Sequence, residues 1–168
     1  MNQQLSTKRI AAVAMMAAMY VALVMALPWL SFGPFQVRVA EALAILPVFT
    51  PFAIIGVSLG CFIANLASPY GVIDTIVGTL ASVIAGVITY RLRNIRFWGL
   101  PILSALSPVI VNAVIIGAML SITYTGSLNP VVFATYAISV GAGQMVACVA
   151  LGLPLLKALE RTNVLTAV

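Results

Sequence analysis

Three charged residues stand apart from every other charge in this 168-residue chain: Arg38, Glu41 and Asp74. Each lies in or beside a long apolar run, where an ionisable group is costly and faces a partner or a water-filled cavity. Arg38 and Glu41 are three residues apart and share a face if their segment is helical. Two chemistries fit that pattern: a structural ion pair, or a polar ligand site with a carboxylate acceptor beside a guanidinium donor. Asn65 and Asp74 flank the turn Ala67-Ser68-Pro69-Tyr70-Gly71 and converge across it, unless Asp74 caps the helix it begins. Asn112 and Gln144 fall midway along apolar runs, where an amide finds its hydrogen bond on another helix or on a ligand. Tyr124, Asn129 and Tyr136 sit at run ends, as interfacial residues or as the rim of an outer mouth.

Enzymatic chemistry is not indicated. The chain has no His, no cysteine-based dyad and no two carboxylates in a shared motif. Cys61 and Cys148 lie singly in apolar runs, which argues for buried packing and against a disulfide framework or a metal site. No cofactor is called for. A phosphate-binding loop of the G-x-x-x-x-G-K-[ST] type is absent from the sequence, so the chain does not hydrolyse ATP by itself. The net charge of +5 is gathered in small groups beside apolar runs (Lys8-Arg9, Arg91/Arg93/Arg96, Lys157/Arg161), which marks topology rather than nucleic-acid binding.

The elements that position these residues belong to a membrane. Hydrophobic residues make up 63% of the chain against eight Lys/Arg and three Asp/Glu, far below the roughly 25% charged residues of soluble domains. Residues 10–37, 42–73, 75–90 and 97–156 carry no Asp, Glu, Lys or Arg, and a spanning helix needs about 20 mostly apolar residues. The first apolar run, Ile10 to Leu30, exceeds the usual core of a cleaved signal and reads as a retained span.

Basic loops prefer the cytoplasm, so the three basic clusters belong on one side and an even number of spans separates each pair. Span one and a clear span near 73–91 leave the region 35–66 to cross twice, with Pro47 and Pro51 breaking it. Each half would then be about 24 Å long, short of the roughly 30 Å hydrocarbon core. Short or broken helices at membrane depth occur where they pack on protein or line a cavity, which points to this region as the site. The expectation is an all-α membrane protein of six transmembrane helices in a single domain, 1–168. Its spans lie at about 8–30, 35–50, 51–66, 73–91, 99–122 and 131–156, with N- and C-termini cytoplasmic. Within span one, Ala14, Ala18, Ala22 and Ala26 form a ridge of small side chains that lets another helix approach closely, as a docking face internal or external to the chain. Gly56/Gly60/Ala64 and Gly78/Ser82/Gly86 repeat the spacing and are assigned to packing within the chain.

A protein of this kind, lacking an ATP site, moves a solute through an ion gradient or through another subunit. A proton-coupled carrier using Glu41 or Asp74 and a non-transporting membrane scaffold are the alternatives from other classes.

The motifs Arg38-Val-Ala-Glu41-Ala-Leu, Gly60-Cys-Phe-Ile-Ala-Asn65-Leu, Ser68-Pro-Tyr-Gly71 with Asp74, Val111-Asn112-Ala and Leu151-Gly-Leu-Pro154-Leu together resemble the QueT family over nearly the whole chain. That resemblance implies a substrate-binding S component of an energy-coupling factor (ECF) transporter in a prokaryotic plasma membrane. Its partners would be a scaffold transmembrane subunit, docked on the alanine ridge of helix one, and two ABC ATPase subunits. The implied ligand is a queuosine precursor, a 7-deazaguanine such as preQ0, preQ1 or queuine. For such a ligand the expected site opens outward and is built from Arg38, Glu41, Asn65 and Asp74, with Asn112 and Gln144 as floor and residues 31–37 as lid. Glu41 would accept the adjacent N1–H and 2-amino donors of the base as a bidentate pair; Asn65 would read the remaining polar edge, and Asp74 would meet a cationic 7-aminomethyl group. The resemblance leads one to expect an acidic residue near the start of the Gly141-Ala-Gly143-Gln144 segment, where this chain has Gln144; if that position contacts ligand, a neutral or differently substituted base is implied.

Overall fold

A computed structural model describes residues 7–32 and 37–162. Among these, every regular element is helical. Helix α1 (Thr7–Ala26) is followed by a single turn, α2 (Pro28–Ser31), and by a 3-10 helix over Val39–Val48. Then come α3 (Phe52–Asn65), α4 (Gly71–Leu92), α5 (Ile102–Thr125) and α6 (Pro130–Gln144). A π-helical stretch, Met145–Leu151, joins α6 directly to α7 (Gly152–Thr162). Helices α1, α4 and α5 and the continuous run Pro130–Thr162 are each long and apolar enough to cross a membrane, and the 3-10 helix and α3 are shorter apolar elements. The chain is a multi-pass membrane protein.

The region around residues 35–66 departs from the expected pair of similar helices. Its first half is a tight 3-10 helix of 10 residues, about 20 Å long at roughly 2.0 Å per residue. Its second half is an α-helix of 14 residues, about 21 Å long. Residues Ala40 to Val48 are all buried, so the 3-10 helix is the axis around which the other helices pack. A run of that length in 3-10 form is uncommon and marks functional or strained sequence. Pro47 lies inside it, and the break falls at Phe49–Pro51 before α3 begins. The last helical run continues past residue 156, through Lys157 and Arg161 to Thr162.

Contacts at the two ends fix the direction of each element. At one end the Arg9 guanidinium lies 4.8 Å from the Phe52 ring centroid, Arg96 pairs with Glu160 at 2.7 Å, and Val48 shares a buried cluster with Leu156. The three basic clusters therefore meet at this end. At the other end Arg38 meets Asn65 and Asp74. The 3-10 helix thus runs from the far end to the basic end, and α3 returns.

Glycines permit the closest helix crossing. A Cβ on Gly60 would lie 2.6 Å from Tyr20 Cβ and 2.9 Å from the Ala17 carbonyl, and one on Gly56 would lie 2.9 Å from Met16 Cβ. This α1–α3 seam buries Met16, Ala17, Tyr20 and Val24. The opposite side of α1, carrying Ala14, Ala18, Ala22 and Ala26, is exposed. Among the described residues the ridge is thus left uncovered by the helix packing.

Candidate functional site

A polar cavity opens inside the bundle where the 3-10 helix faces α4, α5 and α6. Its walls are Arg38 and Glu41, Gly78 and Ser82 of α4, Asn112 and Ile116 of α5, and Val140 and Gln144 of α6. The spacing explains the convergence: each α-helix contributes a pair four residues apart, which stack on one face. The cavity volume is about 10 Å³, room for about one water molecule. A bicyclic base enters only if these walls part.

Of the six residues expected at a site, Arg38, Glu41, Asn112 and Gln144 line this cavity. Asn65 and Asp74 stand behind it. They hold Arg38: Nη1 donates to Asn65 Oδ1 at 3.0 Å, Nη2 to Asp74 Oδ2 at 3.1 Å, and Nε to the Ser31 carbonyl at 3.3 Å. The Phe32 ring also lies 5.3 Å from the guanidinium carbon. The structure does not form the alternative Arg38–Glu41 ion pair: among the described residues the buried salt bridge of Arg38 is with Asp74. The reason is backbone conformation. Arg38 precedes the 3-10 helix in an extended conformation (φ −86°, ψ 97°), so its side chain leaves the helix face and reaches α3 and α4.

Asp74 does not cap α4, whose N-terminus has no side-chain cap. Its Oδ2 accepts from Arg38 and, at 2.6 Å, from Ser68 Oγ, while its Oδ1 is buried without a hydrogen-bond partner among the described residues. Asn65 Nδ2 donates to the Asp74 carbonyl at 3.1 Å. Gly78 makes this arrangement possible, because a Cβ there would sit 2.5 Å from Asn65 Nδ2.

Glu41 takes a different partner: Tyr20 Oη of α1 donates to its Oε1 at 2.5 Å. Gln144 sits where α6 passes into the π-helical stretch, a local form frequent at functional sites. The Cys148 thiol lies 3.2 Å from Gln144 Oε1 and 3.4 Å from the Glu41 carbonyl. Tyr20, Ser82, Gly78 and Cys148 were not singled out from the sequence as site residues. Tyr20 had the clearest signal, since a buried tyrosine hydroxyl in an apolar span finds a hydrogen-bond partner.

Beyond the cavity, toward the Asp74 end, Tyr124 and Tyr136 stack with centroids 5.5 Å apart and Tyr70 meets Tyr124 edge-on at 6.3 Å. Tyr136 and Tyr70 pack against a cluster containing Ile116 and Val140, two residues that also line the cavity. Asn129 has another role than a rim residue: its side chain caps α6 by accepting from the Val131 and Val132 amides. Of the expected lid, residues 33–36 lie outside the described residues, whereas Ser31 is buried and holds Arg38.

The family model described as "QueT transporter" matches residues 10–161. The Queuosine precursor transporter QueT of Lactococcus lactis subsp. cremoris (strain MG1363) is 38% identical over 98 residues, 55% of this chain and 57% of that protein. The matched stretch thus spans little more than half the length of this curated relative. No solved structure matches the chain. With nine-tenths of its length covered by one family model and a buried polar cavity at the centre of its membrane helices, the chain belongs to the QueT transporter family.

Proposed function

We propose that this protein is the substrate-binding membrane subunit of an ECF-type importer and captures a queuosine precursor of the 7-deazaguanine class from outside the cell. The observation that carries the reading is the Glu41 carboxylate, buried in the centre of the bundle and lining a cavity it shares with the Asn112 and Gln144 amides. A deazaguanine offers adjacent N1–H and 2-amino donors beside a carbonyl acceptor. A carboxylate accepts the two donors, and amides or the Arg38 guanidinium donate to the carbonyl; charge-assisted bonds of this kind are roughly twice as strong as neutral ones. Asp74 Oδ1, buried without a partner among the described residues, would receive a cationic 7-aminomethyl group once the Gly78 wall moves.

In this reading the bundle crosses the plasma membrane six times, with the 3-10 helix and α3 as two short crossings shielded by their neighbours. The basic end is cytoplasmic, as the preference of Lys and Arg for that side supports. The exposed stripe Ala14, Ala18, Ala22 and Ala26 faces the scaffold subunit, and two ABC ATPases supply the energy.

Titration of the purified chain with 7-cyano- and 7-aminomethyl-7-deazaguanine tests the assignment. Saturable binding is expected, and Glu41→Gln, which turns one acceptor oxygen into a donor, should weaken it about 10- to 150-fold, the worth of a hydrogen bond to a charged group. Unchanged affinity in Glu41→Gln would remove the carboxylate from the site. Proton-driven uptake by the chain alone would replace the subunit reading with that of a solo carrier.

A further inference from the structure

Residues 10–26 of α1 contain a single hydrogen-bonding side chain, Tyr20. It is fully buried in a cluster with Val57, Cys61 and Ala64 of α3, and its Cβ crosses α3 where Gly60 leaves no room for a Cβ. Packing alone asks for a phenyl ring at this place. The hydroxyl instead runs on to Glu41 Oε1 at 2.5 Å, within the range of short charge-assisted O–H···O bonds.

Arg38 and Cys148, both near Glu41, hydrogen-bond to atoms other than its carboxylate. The three guanidinium nitrogens of Arg38 go to Ser31, Asn65 and Asp74, and the Cys148 thiol reaches the backbone carbonyl of Glu41 rather than its carboxylate. Among the described residues Tyr20 is thus the side chain that hydrogen-bonds this carboxylate. With Oε1 tied, rotation of the carboxylate is restrained, and the remaining lone pairs of both oxygens stay available to a ligand. A carboxylate free to rotate would still meet one donor, but it would meet two adjacent donors only part of the time.

We propose that Tyr20 is a positioning residue that makes Glu41 selective for a ligand edge bearing two adjacent N–H donors. The inference rests on the reading in which Glu41 accepts from the base. Because the hydroxyl comes from α1, whose other face is the exposed alanine stripe, any partner that shifts α1 also shifts the acceptor geometry of the cavity.

The test compares 7-cyano-7-deazaguanine with the same compound lacking its 2-amino group, titrated against purified wild type, Tyr20→Phe, Glu41→Gln and the double variant. Wild type should prefer the amino compound about 10- to 150-fold, the worth of one hydrogen bond to a charged group. In Tyr20→Phe that preference should shrink to a few-fold, through weaker binding of the amino compound with affinity for the other unchanged. Once Glu41 is Gln, adding Tyr20→Phe should leave the preference where it is. Equal losses for both compounds would make Tyr20 a packing residue, and an unaltered preference would equally overturn the proposal. A wild type that binds neither compound, or binds both alike, would instead strike down the Glu41 reading on which the proposal stands. Preservation of the ring keeps the α1–α3 seam, and an unchanged unfolding midpoint checks it.

Discussion

Replacing Arg38 with Met should destabilise the protein by about 3–5 kcal/mol, the usual cost of breaking a buried ion pair from one side. The structure sets this magnitude. The Arg38 side chain is 7% exposed and that of Asp74 1%, so water does not take over the lost contacts. Asp74 Oδ1 already lacks a partner among the described residues, and without Arg38 its Oδ2 would keep only the Ser68 hydroxyl. The Asn65 amide oxygen would lose its guanidinium donor as well. Removing both charges, as in Arg38→Met/Asp74→Leu, takes away the uncompensated carboxylate, and buried pairs replaced by apolar residues of similar size are often neutral in stability. The double variant should therefore recover most of the loss, with a coupling energy of about 2 kcal/mol or more, within the range of residues in one hydrogen-bond network. Unfolding of wild type, both single variants and the double variant in mixed micelles, followed by circular dichroism against increasing denaturing detergent, measures the cycle. A cost below about 1 kcal/mol for Arg38→Met, the range of an exposed pair, would refute the reasoning. So would strictly additive effects.

Two further outcomes follow from the faces of the bundle. Ala18→Trp or Ala22→Trp adds bulk to an exposed side of α1 and should abolish uptake in cells expressing the complete transporter while leaving ligand titration of the purified subunit unchanged; loss of binding would show that the stripe serves the site rather than docking. Thr50 is buried, whereas the adjacent Pro51 is exposed, so Pro51→Cys should resist an impermeant thiol reagent applied to intact cells and react in inverted vesicles. Labelling from outside would refute the orientation with the basic end in the cytoplasm.

Apolar runs, proline breaks and the distribution of Lys and Arg determine that this chain is a helical membrane protein, because desolvating the backbone leaves no other form for such runs. They also determine that the 38–66 region is irregular. The approach of Asn65 to Asp74 was legible as well, since one short turn joins them, and so was the inward aim of Asn112 and Gln144, since an amide in an apolar helix needs a partner. Partner choice at long range was not legible. Arg38 bonds to Asp74, 36 residues away, rather than to Glu41, and Glu41 bonds to Tyr20, 21 residues away. Both choices depend on how the helices are rotated and how closely they cross, and hydrophobic periodicity, low in contrast along helices that are apolar all round, leaves that rotation unspecified. The 3-10 form of Val39–Val48 and the π-helical stretch after Gln144 were hidden for a related reason: local sequence there suits an α-helix, and the tighter and wider windings belong to segments packed among the other helices.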